Sequence, residues 1–137
     1  MQGWRYQLSV FGNVVANELH AGAADLVDAW FEAWAEPDEQ KRRDTLERIA
    51  APDVRFRNAF SLLEGIPDVT AHIAAALRFM PGMRLRREGQ VRHCQGTALA
   101  DWSTVTNDGQ KRGSGSSVFL LGPDRRIAAV TGLQNPS

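Results

Sequence analysis

The chain changes character at Pro81-Gly82, and that change limits the folds open to it. Before it, apolar residues recur every three or four positions, the period of a helix face. After it come four extended runs, over 83–94, 97–106, 110–121 and 126–133. They are separated by Gly96, by Asn107-Asp-Gly109 and by Gly122-Pro-Asp124. Asp-Gly between two extended runs is a hairpin signal, because its φ > 0 geometry matches the strand twist. Helices first and consecutive strands afterwards predict an α+β domain, with the helices packed on one face of an antiparallel meander.

Three helices and a strand are expected before the meander, behind an N-terminal extension. Trp4, Leu8, Phe11, Val15 and Leu19 fall on one helical face, so residues 3–20 read as an amphipathic helix. A strand over Tyr6–Val15 is the rival reading, since that stretch is rich in aromatic and β-branched residues. Residues 1–22 are therefore assigned to an N-terminal helical extension and 23–137 to the domain proper. The next helix, over about 24–35, turns Leu26, Val27, Trp30, Phe31 and Trp34 inward. A more polar helix starts at Pro37-Asp38, carries Leu46 and Ile49 inward, and is expected to end near Pro52. A strand follows over 54–58, then a loop over 59–66. Pro67-Asp68 opens the last helix, with Val69, Ile73, Leu77 and Met80 on one side.

At 137 residues the chain is most simply one domain, long enough to fold without a metal or disulfide. Sixteen basic and sixteen acidic residues cancel, so no domain-wide positive field exists to recruit nucleic acid. The single cysteine, Cys94, forbids an internal disulfide and suits a reducing cytoplasm. No basic segment leads into an unbroken apolar run near the start, and no stretch is long and apolar enough for a membrane span, so neither a signal peptide nor membrane association is expected. His20, His72 and His93 lack ligand spacing, and no metal or cofactor is expected.

Within Ala51-Pro-Asp-Val-Arg-Phe-Arg-Asn58, Val54, Phe56 and Asn58 share one face of a strand, so a neutral hydrogen-bonding group is aimed inward. Together with Leu46–Phe56, Gly65, Val69–Ala74, Met80–Gly82, Ala98–Trp102 and the ending Phe119–Val130, this stretch makes residues 24–133 resemble a SnoaL-like domain of the nuclear transport factor 2-like superfamily. The resemblance implies a cone-shaped half-barrel, with N-terminal helices on a curved, mainly antiparallel sheet and an apolar pocket between them. It implies pairing as a homodimer through the outer sheet face, which here would carry Leu99, Val105, Val118 and Leu120. Its members include isomerases, dehydratases, epoxide hydrolases and polyketide cyclases as well as non-catalytic domains, so fold alone does not fix function.

The catalytic patterns of that superfamily fit only in part. The isomerase base would be a carboxylate where this chain has Asn58, and an amide takes no proton. The isomerase's acidic oxyanion-hole partner falls near Ser117, a hydroxyl. Asp101 alternates with Ala100 and Trp102 and so points away from them, which removes the epoxide hydrolase set. His72 and Asn58 remain as candidate acid/base and carbonyl-polarising groups. Equally, His72 reads as a helix-flank residue, Asn58 as a cap on the strand-to-loop transition, and Ser117 as a plain sheet residue. Trp30, Trp34, Phe56, Trp102, Ser117 and Phe119 are the candidate ligand-binding residues, the rings serving either a core or a pocket. Two functions follow: a cofactor-independent isomerase, cyclase or dehydratase acting by proton transfer on a small apolar carbonyl compound, or a non-catalytic ligand-binding or assembly domain.

Overall fold

The computed structural model describes residues 22–136. The helix expected over 3–20, with Tyr6, lies outside them. Helix α1 runs through residues 22–33 and is followed by a turn at Trp34. Helix α2 spans Glu39–Ile49, capped by Asp38, whose carboxylate accepts from the Lys41 backbone N–H at 2.9 Å. Strand β1 (Ala50–Arg57) and strand β2 (Leu62–Glu64) precede helix α3 (Ile66–Phe79). Strands β3 (Arg84–Cys94), β4 (Thr97–Val105), β5 (Lys111–Leu121) and β6 (Ile127–Gln134) complete the chain. The α+β reading holds: three helices lie on one curved, unclosed sheet of six strands, in the order β2-β1-β6-β5-β4-β3.

Two boundaries differ from the sequence reading. β1 begins at Ala50, directly after α2, rather than at residue 54. Ala51 precedes a proline and is driven toward extended backbone, so the chain leaves the helix as a strand. Pro52 then sits where the β1–β6 register slips between Ala50 and Arg55, an irregular stretch that does not need its missing N–H. The expected loop over 59–66 also contains β2, three residues antiparallel to β1, too short to show periodicity.

β1 pairs in parallel with β6 and every other neighbour pair is antiparallel. This brings the earliest strand beside the last and sets rows of side chains across the inner face. Phe56, Val130, Phe119 and Ala98 form one row, all buried. The next row is small: Gly132, Ser117 and Ala100. The third is Gln134, Gly115, Trp102 and Arg87. α1 lies across the rows, and Arg87 on β3 grips Asp28 of α1 through two hydrogen bonds of 2.7 and 3.2 Å. Arg42, buried on α2, donates to the carbonyl of Glu36 from Nε and Nη2 (3.1 and 2.8 Å), tying the helices together without a carboxylate partner among the described residues.

The opposite face of the sheet carries the expected leucines and valines at differing exposures. Leu120 is well exposed and Leu99 and Val118 partly so, but Val105 is buried. Beside it the Glu88 carboxylate accepts from Ser103 Oγ at 2.6 Å and from Arg86, with Lys111 3.5 Å away. The Ser103 hydrogen bond, then Arg86 and the Lys111 charge, hold that carboxyl down from 4.5 to about 2. A carboxyl whose folded value is depressed stabilises the fold above its unfolded value and loses that contribution as pH falls through the folded one. Ser103→Ala is therefore expected to lower the urea midpoint at pH 7, with the gap from the parent closing as pH falls from 4.5 toward 2.

Candidate functional site

The site begins with the small row. Phe56, Val130 and Phe119 fill the space under α1, but Gly132 and Ser117 leave the neighbouring row short of side-chain volume. The result is a cavity of about 140 Å³ between sheet, α1 and α3. Its buried walls are Trp30, Phe31, Phe56 and Ser117, with Trp34 and Trp102 partly exposed. Ala76 and Leu77 close it from α3, and Leu85 from β3. Exposed Asn58, Ala59, Arg84 and Gln134 mark its mouth. An engineered apolar cavity of ~150 Å³ stays dry and takes benzene, so this volume suits a single ring.

Trp102 and Ser117 are built as a unit. Trp102 lies opposite Gly115 in the β4–β5 ladder, and its indole covers that glycine. A Cβ at position 115 would fall 2.5 Å from Trp102 Cζ2 and 2.4 Å from the Leu133 carbonyl oxygen. The missing side chain is what lets the ring lie flat against the strand. In that pose Trp102 Nε1 donates to Ser117 Oγ at 3.0 Å. The serine oxygen is satisfied, and its own hydrogen has no acceptor among the described residues. A buried hydroxyl in that state is a donor waiting for a partner. Trp34 Nε1 is also without a hydrogen-bond partner among the described residues, but it is fully enclosed and does not open into the cavity.

The rings form one continuous cluster. Trp30 stands 6.0 Å from Phe56, 6.1 Å from Trp34 and edge-on to Phe119 at 6.3 Å, centroid to centroid. Of the residues expected to bind ligand, Trp30, Trp34, Phe56, Trp102 and Ser117 line the cavity. Phe119 does not. It is fully buried behind Trp30 and Phe31 and belongs to the core, because its row is the filled one.

The two candidate catalytic residues are not brought together. Asn58 is at the mouth, and its Oδ1 accepts from the backbone N–H groups of Phe60 (2.9 Å) and Ser61 (2.8 Å). That is the cap on the strand-to-loop transition, and it leaves only the Nδ2 group toward the cavity. His72 does not line the cavity; it packs edge-on against Trp34 at 5.7 Å and tilted against Phe56 at 6.4 Å, two rings that do line it. Among the described residues no aspartate, glutamate or histidine lines the cavity. Among the described residues no three His, Cys, Asp or Glu side chains come close enough to hold a metal, and no helix is long and apolar enough to cross a membrane.

What the sequence reading missed is the Trp102–Gly115–Ser117 arrangement. The signal was present in Gly113-Ser-Gly-Ser-Ser117, which reads as a curvature or bulge element. Only the strand register shows that Gly115 faces Trp102. Gly115→Ala should lower stability by about 1–3 kcal/mol, the usual cost of overpacking. It should also displace the Trp102 ring, visible as a red-shifted tryptophan emission. An unchanged melting temperature and spectrum would refute the close packing.

Solved structures of other proteins share this fold. A solved candidate isomerase of the SnoaL-like family from Agrobacterium tumefaciens is 24% identical, with a TM-score of 0.80 over 87% of this chain and 99% of that one. A candidate SnoaL-like polyketide cyclase from Jannaschia sp. is 18% identical, with a TM-score of 0.69 over 85% of this chain and 88% of the other. An LEH-like epoxide hydrolase of M. tuberculosis is 15% identical, with a TM-score of 0.64 over 85% of this chain and 84% of that one. At these identities the likeness is one of fold. No curated protein matches the chain. The family profile of the SnoaL-like domain matches residues 27–130, nearly the whole of the helix-and-sheet unit, and the chain is therefore a member of the SnoaL-like domain family.

Proposed function

We propose that this protein binds a small, largely apolar molecule carrying a hydrogen-bond acceptor, without catalysing a reaction on it. The observation that carries this reading is the Ser117 hydroxyl. Its oxygen is taken by Trp102 and its hydrogen has no acceptor among the described residues, on a wall whose buried part is otherwise the rings of Trp30, Phe31 and Phe56. A ligand oxygen would complete the pair, while an apolar ring would fill the void between Trp30, Trp34 and Trp102. Among the described residues the lining holds no aspartate, glutamate or histidine, which favours binding over proton transfer.

Acetophenone is a suitable probe, being one ring with one carbonyl. Quenching of tryptophan emission should saturate with acetophenone and with ethylbenzene, its carbonyl-free counterpart. Ser117→Ala should weaken acetophenone about 5- to 10-fold, as loss of a net hydrogen bond of ~1–1.5 kcal/mol implies, and leave ethylbenzene unchanged. Equal effects on both compounds would remove Ser117 as the recognition group.

A proton-transfer isomerase, cyclase or dehydratase is the second reading. It is supported by the packing of His72 on the two rings that line the cavity, and by the enzyme names carried by several structural neighbours. His72 would be the base and the Asn58 amide would polarise the carbonyl. The two readings separate in heavy water. An enzyme of this kind would exchange the methyl protons of acetophenone, and His72→Ala would slow that exchange by roughly 10²–10⁴. Exchange at the buffer rate, with or without His72, is the outcome expected of a binding protein.

A further inference from the structure

We infer that Gly132 sets which ligands the cavity admits, its missing side chain letting the ligand rest on the β6 backbone beside Ser117. This builds on reading the cavity as a ligand site and adds the residue that decides its selectivity.

Among the described residues, every other glycine inside a strand has a reason in the fold. Gly89 stands at φ 72°, a conformation that side chains rarely adopt. Gly115 lies under Trp102, where a Cβ would fall 2.5 Å from the ring. At Gly113 a Cβ would come within 3.3 Å of Thr104 Oγ1. Gly132 has none of these reasons. Its φ lies outside the left-handed region. A Cβ there would meet Asn58 Cβ at 3.5 Å and the Arg57 carbonyl oxygen at 3.9 Å, both ordinary contacts. Sequence neighbours aside, no other heavy atom of the described residues would come within 4 Å.

An alanine would thus suit both the backbone and the packing. Glycine inside a strand also costs stability, through the freedom it has in the unfolded chain and the side chain it fails to pack. What the missing methyl supplies is room on one side of the sheet. Gly132 alternates with Val130, which is buried in the core, and lies opposite Ser117 in the β5–β6 ladder. A Cβ at 132 would therefore project from the same face as the Ser117 side chain. That face is the cavity wall, and both residues belong to it. Opposite Cβ positions in an antiparallel ladder are about 5 Å apart. The space over Gly132 therefore adjoins the Ser117 hydroxyl, whose hydrogen has no acceptor among the described residues. A ligand oxygen held by Ser117 brings the adjoining part of the ligand onto the Gly132 backbone, and a methyl at 132 would take that place.

The test is Gly132→Ala in the full chain, measured for stability and for selectivity. The melting temperature should rise by roughly 1–5 °C, as where glycine gives way to alanine at a compatible backbone position. Dissociation constants would be followed on the Trp102 indole N–H resonance. Acetophenone should bind roughly tenfold more weakly, because the added methyl overfills the space it needs. Cyclopentanone, a smaller ketone, should change less than about twofold, its bond to Ser117 being kept. An unchanged or lower melting temperature, or a variant that does not fold, would show that the fold itself requires glycine at 132 and would overturn the inference. So would an unchanged affinity for acetophenone, or an equal loss for both ketones, with the cavity still standing as a ligand site. If neither ketone binds the parent chain, the ligand-site reading fails and the role of Gly132 falls with it.

Discussion

The contact of Trp30 with Phe56 and Phe119 is the interaction on which the rest of this structure depends. Phe56 comes from the first strand and Phe119 from the fifth, and the parallel pairing of β1 with β6 brings them to either side of Val130. Trp30 descends from α1 onto both rings and is itself 1% exposed. One side chain thus joins the helix layer to two strands that lie far apart in sequence. Burial of so large a ring is among the largest single apolar contributions available to a small domain. It also fixes where α1 stands, and so where Trp34 and Phe31 meet the cavity.

The cavity follows from a neighbouring constraint. Side chains across a sheet lie in rows because the pleat has period two. The Phe56–Val130–Phe119 row fills the space beneath α1, while Gly132 and Ser117 in the next row do not. Interiors pack to near-crystalline density, and a void beside a full row has a cost in stability. Here the void adjoins a buried hydroxyl whose hydrogen has no acceptor among the described residues, and that pairing of void and donor is what the ligand-binding reading rests on. The same small row limits what an occupant can be. A volume near 140 Å³ takes one ring, not the fused ring systems a larger cone could enclose.

Much of the fold was legible in the sequence, for physical reasons that can be named. The change of period at Pro81-Gly82 and the turn residues after it are local signals, and β3 to β6 fall within a residue or so of the expected runs. Asp38 capping α2 was equally local. The exchange of loop for strand at β2, and the early start of β1, were not legible, because pairing with a distant partner decided them. The site was legible as a set of residue types and not as an arrangement. Helical spacing placed Trp30 inward and alternation placed Phe56 and Trp102 inward, but alternation alone does not separate the filled row from the empty one, and Phe119 fell on the filled side. His72 illustrates the same limit. Its position beside the apolar face of α3 follows from helical spacing, yet spacing does not tell whether it lines the void or packs on rings that do, as it does on Trp34 and Phe56.

The most direct measurement is a ¹H–¹⁵N spectrum of the indole N–H groups recorded during titration with acetophenone, the signals assigned by single Trp→Phe variants. If the cavity is a ligand site organised by Ser117, the Trp34 and Trp102 resonances should move together and saturate with one dissociation constant. Resonances that stay fixed to the solubility limit of the ketone would contradict that account.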